Sequence, residues 1–339
     1  MHYCGLDLGK KSSNFCIVDE KRSVIREGKV RNRVHELCRL FGKLPRMKIA
    51  IEASTKAFWI ADRLKEFGHD AVVVDPGRTK AIGAAFIKHD KLDARILATL
   101  CAADVLAEID QPTEEQRLAR MPVVARDGIV RSRVKLVQLV RSLLDSEGIE
   151  LKKCALKVFV DRVTDLWDEI PAGMALAIEP VLTAIHMLTE QIADCDSRIE
   201  EVITKDPDAQ LLMTAPGVGP IVAACFLMAV RDPSRFKSGR DVGSYLGLVP
   251  SLYQSGETYR RGRITKHGNR QARWALSMAA SVLMSIVKKQ SALRQWGLEV
   301  ADRRGRKTAV VAVARKLSAI LWSMWKNQTP FEPRLAETA

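Results

Sequence analysis

The feature that most constrains the fold is a seven-residue repeat. Ile178, Ile185, Ile192 and Ile199 recur at intervals of seven, and Val181, Leu188, Cys195 and Val202 follow at the same interval three positions later. An a/d pattern held over four heptads specifies a long helix whose apolar seam must meet another helix. A second stripe, Val123, Val130, Val137 and Leu144, offers an antiparallel partner within the chain. Two arrangements satisfy the pattern: a helical hairpin packed on its own domain, or a coiled-coil arm that joins copies of the chain into a homo-oligomer, dimer or tetramer. In either case a helical segment over residues 113–205 separates two other regions. The 339 residues are therefore read as three domains, 1–112, 113–205 and 206–330.

The first region alternates strand and helix signals. Apolar runs at 2–8, 14–18 and 23–30, separated by brief polar turns, suit a meander of three antiparallel strands. Helix-like periodicity at 34–41 and 57–67 then alternates with strand-like runs at 48–52 and 71–75, the last closed by Pro76 and Gly77. Three hairpin strands followed by βαβ units give an α/β domain with a mixed sheet covered by helices.

Four acids stand out against this pattern. Asp7 ends an otherwise apolar strand in Gly5-Leu6-Asp7-Leu8-Gly9, and Glu52 ends Lys48-Ile49-Ala50-Ile51-Glu52. A carboxylate is costly to bury without a partner, so each must reach a cleft, a cation or solvent. Asp90 and Asp93 stand three apart at the start of a helix running through Ile96, Leu97 and Leu100, a spacing that puts both on one face. A set made only of carboxylate oxygens suits Mg²⁺, with Mn²⁺ able to substitute, and two such ions about 4 Å apart can serve phosphoryl displacement. Taken singly, Asp7 reads as a turn residue, Glu52 as a helix-capping acid and Asp90 as an N-cap. His89 neighbours the pair, and Asp75 reads as a turn former.

The third region opens with Ala215-Pro216-Gly217-Val218-Gly219-Pro220 between two apolar helical segments, the outline of a helix-hairpin-helix. The turn amides around Gly217 and Gly219 can hold a phosphate; otherwise the glycines only make the turn. Further on, Ser251 and Ser255 precede a basic stretch with Arg260, Arg261, Arg263, Lys266 and Arg270, and Gly256, Gly262 and Gly268 recur every six residues. The stretch reads as a loop whose cations neutralise phosphates, with Arg273 and Trp274 opening the next helix. A later helix carries Val310, Val311, Val313, Leu317, Ile320 and Leu321 as domain core.

Composition narrows the partners. Lys and Arg number 54 against 40 Asp and Glu, and the resulting +14 favours a polyanion such as DNA or RNA. The apolar stretches fall short of the about 18 residues a membrane span needs, and the start lacks a signal-peptide layout, so a cytoplasmic protein without a membrane partner is expected. Seven scattered cysteines without a C-x-x-C read as small core residues rather than disulfides or zinc ligands.

In order along the chain, Asp7, Glu52, Asp90-x-x-Asp93, Ala215-Pro216-Gly217-Val218-Gly219, Tyr245 to Pro250, Ser255-Gly256, Gly262-x-Ile264-Thr265-Lys266-x-Gly268-Asn269 and Ala312 to Leu317 resemble the DEDD transposases of the insertion sequence 110 family and their Piv-type invertase relatives. The resemblance implies an RNase H/RuvC-like first domain, a coiled-coil arm and a mostly α-helical C-terminal transposase domain. It implies that Asp7, Glu52, Asp90 and Asp93 bind Mg²⁺ and that Ser255 forms a covalent phosphoserine with DNA. It also implies a structured bridge RNA that pairs with donor and target DNA. Spacing leaves Ser251 as a rival nucleophile. Three other readings stand beside this one: a RuvC-like junction endonuclease that uses water, an actin-like kinase suggested by Asp7-Leu8-Gly9, and a non-catalytic DNA-binding scaffold.

Overall fold

The computed structural model describes residues 1–77, 90–255 and 258–333, without the side chains of 90–92, 253–255, 258, 259 and 261. It forms two compact units, Met1–Arg117 and Leu118–Ala339, with the boundary in the first turn of a long helix. The N-terminal unit carries β1 (His2–Leu8), β2 (Ser12–Val18), β3 (Val24–Arg31), α1 (Val34–Phe41), β4 (Met47–Glu52), α2 (Ala57–Glu66), β5 (Asp70–Val74) and α3 (Asp90–Ala102). The C-terminal unit carries α4 (Glu114–Ser146), α5 (Phe159–Thr164), α6 (Ala172–Ile203), α7 (Pro207–Met213), α8 (Pro220–Val230) and α9 (Gly239–Tyr245). It ends with the strands β6 (Pro250–Ser255) and β7 (Thr258–Ile264) and the helices α10 (Arg270–Ser285), α11 (Ala292–Arg304) and α12 (Arg306–Asn327).

The five-stranded sheet runs in the order β3-β2-β1-β4-β5. β1, β2 and β3 form the antiparallel meander, and β4 and β5 add in parallel beside β1, as the βαβ reading requires. Period-2 alternation divides each inner strand between two apolar layers. Cys4, Leu6, Ile49 and Ile51 pack under Leu37 and Phe41 of α1 and Ile60 and Leu64 of α2. On the other face Ala50, Val72 and Val74 meet Leu97 and Cys101 of α3, while Cys16 and Val18 meet Ala94 and Ala98. Each such large side chain removed from water contributes about 1.5–3 kcal/mol.

In the C-terminal unit α4 and α6 run antiparallel. Val137, Val140 and Leu144 pack with Ile178, Leu182 and Ile185, and Val123 shares a cluster with Ile199 and Ile203. Between these apolar ends lie two polar rungs. Arg133 donates to the Thr189 hydroxyl at 3.2 Å, and Arg126 forks onto Asp196, with Nη2 to Oδ2 at 3.1 Å. Burial lowers the pKa of Arg133, and the neighbouring Arg126 adds to the shift.

The seam therefore differs from the a/d expectation. The first apolar line of α6, Ile178 to Ile199, is buried, but its intrachain partner line is Leu182, Thr189, Asp196 and Ile203, one position beyond d. Val181, Leu188 and Cys195 stay half-buried and Val202 is 68% exposed. Arg126 and Arg133 cause the shift, because their guanidinium groups need the oxygen-bearing line of α6 opposite them. The same helix is more apolar overall than a run-by-run reading of the sequence suggests. By length and composition it contains an 18-residue window apolar enough to cross a membrane, because its apolar residues are spread over several lines rather than gathered in one run.

Cys4, Cys16, Cys101 and Cys225 are buried, Cys154 and Cys195 half-buried and Cys38 exposed, all as free thiols. Burial pushes the Cys101 thiol up to about 12 and that of Cys225 up to about 11.

Candidate functional site

The parallel register pairs Leu6 with Ile51, so Asp7 and Glu52 lie one residue further on, side by side on adjacent strands about 4.8 Å apart. Alternation puts Asp7 on the same face as Gly5 and Glu52 on the same face as Ala50. That is the face covered by α3, and both acids are half-buried there.

Gly5 explains how α3 comes so close. A Cβ at this position would stand 2.2 Å from the Ala94 carbonyl oxygen and 2.4 Å from the Ala98 amide nitrogen. Only a residue without a side chain lets helix backbone rest on the strand at this point. At the far end of the helix, Cys101 Sγ lies 3.9 Å from the carbonyl oxygen of Lys48, the residue opposite Tyr3. The helix therefore runs antiparallel to β1, with its N-terminus toward the strand ends that carry Asp7 and Glu52. From the Gly5–Ala94 contact, Asp90 lies four helical residues away, about 6 Å, and Asp7 two strand residues away, about 6.6 Å. The backbone of Asp90 thus comes level with the acid-bearing strand ends. Arg95 fastens the helix from its other side, donating through Nε to Glu27 of β3 at 2.7 Å.

Asp93 is exposed, and His89 lies outside the described residues. Among the described residues no three His, Cys, Asp or Glu side chains converge as a metal centre. The donor chemistry still fits a hard divalent cation, since the acids bring only carboxylate oxygens. Asp75 accepts a hydrogen bond from the Gly77 amide at 2.8 Å, as a turn former does.

In the C-terminal unit the basic stretch read as a loop is an antiparallel hairpin. Ser255 pairs with Thr258 at its tip, and Ser251 lies near its base. The dense charge hid an alternating Leu-Tyr-Gln and Thr-Tyr-Arg pattern of strand type. Ser251 Oγ donates to the Arg263 carbonyl oxygen at 3.0 Å, which ties that hydroxyl into the hairpin. Arg260, Arg263, Lys266 and Arg270 are exposed; Gly256 and the side chains of Ser255 and Arg261 lie outside the description.

The base of the hairpin is clamped by two glycines. Gly247 and Gly268 have φ of 69° and 89°, and a Cβ on either would stand 2.0 Å from a carbonyl oxygen, of His267 and Tyr245 respectively. Gly268 thus serves the close approach of two stretches of the chain's own backbone. Arg273 completes the clamp, donating from Nη1 to the carbonyl oxygens of both Leu246 and His267 at 3.0 Å.

The Pro-Gly-Val-Gly turn joins α7 to α8. Asp206 caps α7 by accepting from the amides of Asp208 at 2.8 Å and Ala209 at 3.2 Å. Gly217, at φ 83°, faces α10, and a Cβ there would stand 2.6 Å from the Ala279 carbonyl oxygen. Gly219 faces open space.

One feature escaped sequence reading: a basic cavity built from three separate segments, around Lys10, Arg31 and Lys56. Its cations are too far apart in sequence to form a charge run.

Residues 4–148 match a sequence model described as a transposase, and residues 209–296 match that of the transposase IS116/IS110/IS902 family. A putative transposase of Sinorhizobium fredii is 30% identical over 85% of this chain and 75% of its own length. A probable family 20 transposase of Pseudomonas aeruginosa is 28% identical over 97% of this chain and 98% of its own. A pilin gene-inverting protein of Moraxella bovis is 30% identical over 45% of this chain and 49% of its own. The chain belongs to the IS116/IS110/IS902 family of transposases. It is accordingly a DNA-binding enzyme that cuts and rejoins DNA in transposition.

Proposed function

We propose that the enzyme exchanges DNA strands through a covalent serine intermediate. Asp7, Glu52, Asp90 and Asp93 hold Mg²⁺ on an RNase H/RuvC-like domain, and Ser255 is the nucleophile. The observation that carries the reading is the Gly5–Ala94 contact, which turns the start of α3 toward the strand ends bearing Asp7 and Glu52. Bound divalent cations there supply Lewis-acid neutralisation of phosphate charge. The hydrogen bond of Ser251 within the hairpin supports Ser255, at the tip, as the attacking group.

In the first step Ser255 Oγ bonds to phosphorus as the bond to the leaving deoxyribose oxygen breaks, and the hydroxyl proton ends on that oxygen. Attack by the hydroxyl of another strand reverses the step, so the phosphodiester is conserved. Exposed Arg260, Arg263, Lys266 and Arg270, together with Arg261, hold phosphates by charge, and the Gly217 and Gly219 turn adds main-chain contacts. A structured guide RNA pairs with donor and target. The half-buried line Val181, Leu188 and Cys195, with exposed Val202, supports a homo-oligomer through α6.

The test is adduct trapping on donor DNA under denaturing conditions. Ser255→Ala is expected to abolish the protein–DNA adduct and to lower strand exchange by about 10³-fold or more, while DNA binding persists. Asp90→Asn and chelation give the same loss, and Mg²⁺ or Mn²⁺ reverses the latter. An adduct that survives Ser255→Ala overturns the assignment, and cleavage without any adduct favours hydrolysis by water. Sequencing RNA that copurifies with the protein identifies the guide.

A further inference from the structure

The N-terminal unit contains a cavity of ≈ 530 Å³ lined by five cations, Lys10, Lys11, Arg31, Arg33 and Lys56, with Ser12 and Asn32 and, among the described residues, no carboxylate. All five cations are exposed, and among the described residues none forms an ion pair. Five like charges gathered without an acid oppose one another, so the arrangement gains stability from an anionic occupant.

The walls are tied to one another by hydrogen bonds. Asn32 donates to the Gly9 carbonyl oxygen at 2.8 Å, its own carbonyl oxygen accepts from the Ser13 hydroxyl at 2.5 Å, and its amide donates to the Lys11 carbonyl oxygen at 3.0 Å. Ser13 is fully buried, which anchors the junction in the core. Lys56 Nζ reaches across from the start of α2 to the Lys10 carbonyl oxygen at 2.8 Å. The β1–β2 turn, the end of β3 and the start of α2 thus hold one shape before any ligand arrives.

The cavity also lies near the acids. Lys10 follows Asp7 by three residues and Lys56 follows Glu52 by four, so the backbones are no more than about 11 Å and 14 Å apart. A nucleic-acid strand carries one charge per about 3.4 Å of axis, so such a stretch spans about three phosphates.

We propose that this cavity grips the phosphodiester backbone of the DNA strand beside the position addressed by Asp7 and Glu52. Its placement relative to the cut rests on the carboxylate reading above; backbone binding does not. Phosphate contacts of this kind set register without reading sequence.

The experiment measures binding of the full chain to a labelled DNA oligonucleotide, and to an RNA of the same sequence, across a salt series. The variants are K10Q/K11Q, R31Q/R33Q and K56Q, each checked for unchanged melting. Each double variant is expected to reduce the slope of log affinity against log salt by about 2, and K56Q by about 1, equally for unrelated DNA sequences. DNA affinity at moderate salt is expected to drop about tenfold or more for each double variant. An unchanged slope in all three variants, or a loss confined to RNA, overturns the proposal. Asp7→Asn separates the two readings: if it leaves cleavage intact while the lysine variants still lose slope, the carboxylate reading fails and the backbone grip stands.

Discussion

The acids and the serine are held in opposite ways. Asp7 and Glu52 end inner strands of a sheet covered on both faces, and α3 is pressed against that sheet by an apolar layer. Ser255 stands at the tip of a two-stranded hairpin whose Leu252 is 61% exposed and whose base is held by the Gly247–Gly268 clamp. Glycine makes the close approach possible in both places, but with different reach. At Gly5 it lets a helix settle on a core; at Gly247 and Gly268 it joins two pieces of irregular backbone. Disturbing the first should affect a whole unit, and disturbing the second should affect one projection.

The largest expected effect follows from that contrast. Gly5→Val drives a three-carbon side chain into the backbone of α3, and a cost of about 3 kcal/mol is expected in denaturant unfolding of the N-terminal unit, with loss of DNA cleavage. If melting is unaltered, the close packing of α3 on β1 is wrong. Gly247→Ala should cost less, about 2 kcal/mol, from strain at positive φ and the clash with His267. Limited proteolysis should then cut within residues 250–264 while unfolding of the N-terminal unit stays unchanged. Loss of the N-terminal transition in that variant would erase the distinction between the two regions. The smallest effect belongs to the α4–α6 rungs. Arg126→Ala should cost about 1 kcal/mol, because the Asp196 side chain is 39% exposed and screened by water. The double change Arg126→Met with Asp196→Leu should recover that loss in thermal melts, since an apolar pair can replace a part-buried ion pair.

Some of this was legible in the sequence because the physics is local. A carboxylate at the end of an apolar strand stands out by its desolvation cost, and period-2 alternation orders the strands, so Asp7 and Glu52 could be named in advance. The direction of α3 was not legible, because it depends on a contact between Gly5 and Ala94 across 89 positions. The heptad line of α6 was visible, but its facing edge was not, since that edge is chosen by Arg126 and Arg133 on another helix. The basic stretch was seen as charge and missed as a hairpin, because alternation is faint where most side chains are polar. The Lys10–Arg31–Lys56 cavity left no trace in a linear reading; three short segments share it only once β1, β3 and α2 are in place.

The two polar rungs between α4 and α6 fix a length. A seam of heptads alone is indifferent to sliding by seven residues, because apolar positions meet apolar positions again. Here such a slip would set Arg126 against Thr189, press the Arg133 guanidinium onto Leu182 and strand Asp196 opposite Ala119. A charge facing a leucine and a carboxylate without its arginine together penalise that alignment, and the opposite slip, though it brings Arg133 to Asp196, sets Arg126 against Ile203. The helical pair therefore works as a ruler with two engraved marks, and the span between its ends is set by chemistry rather than by the number of residues in the repeat.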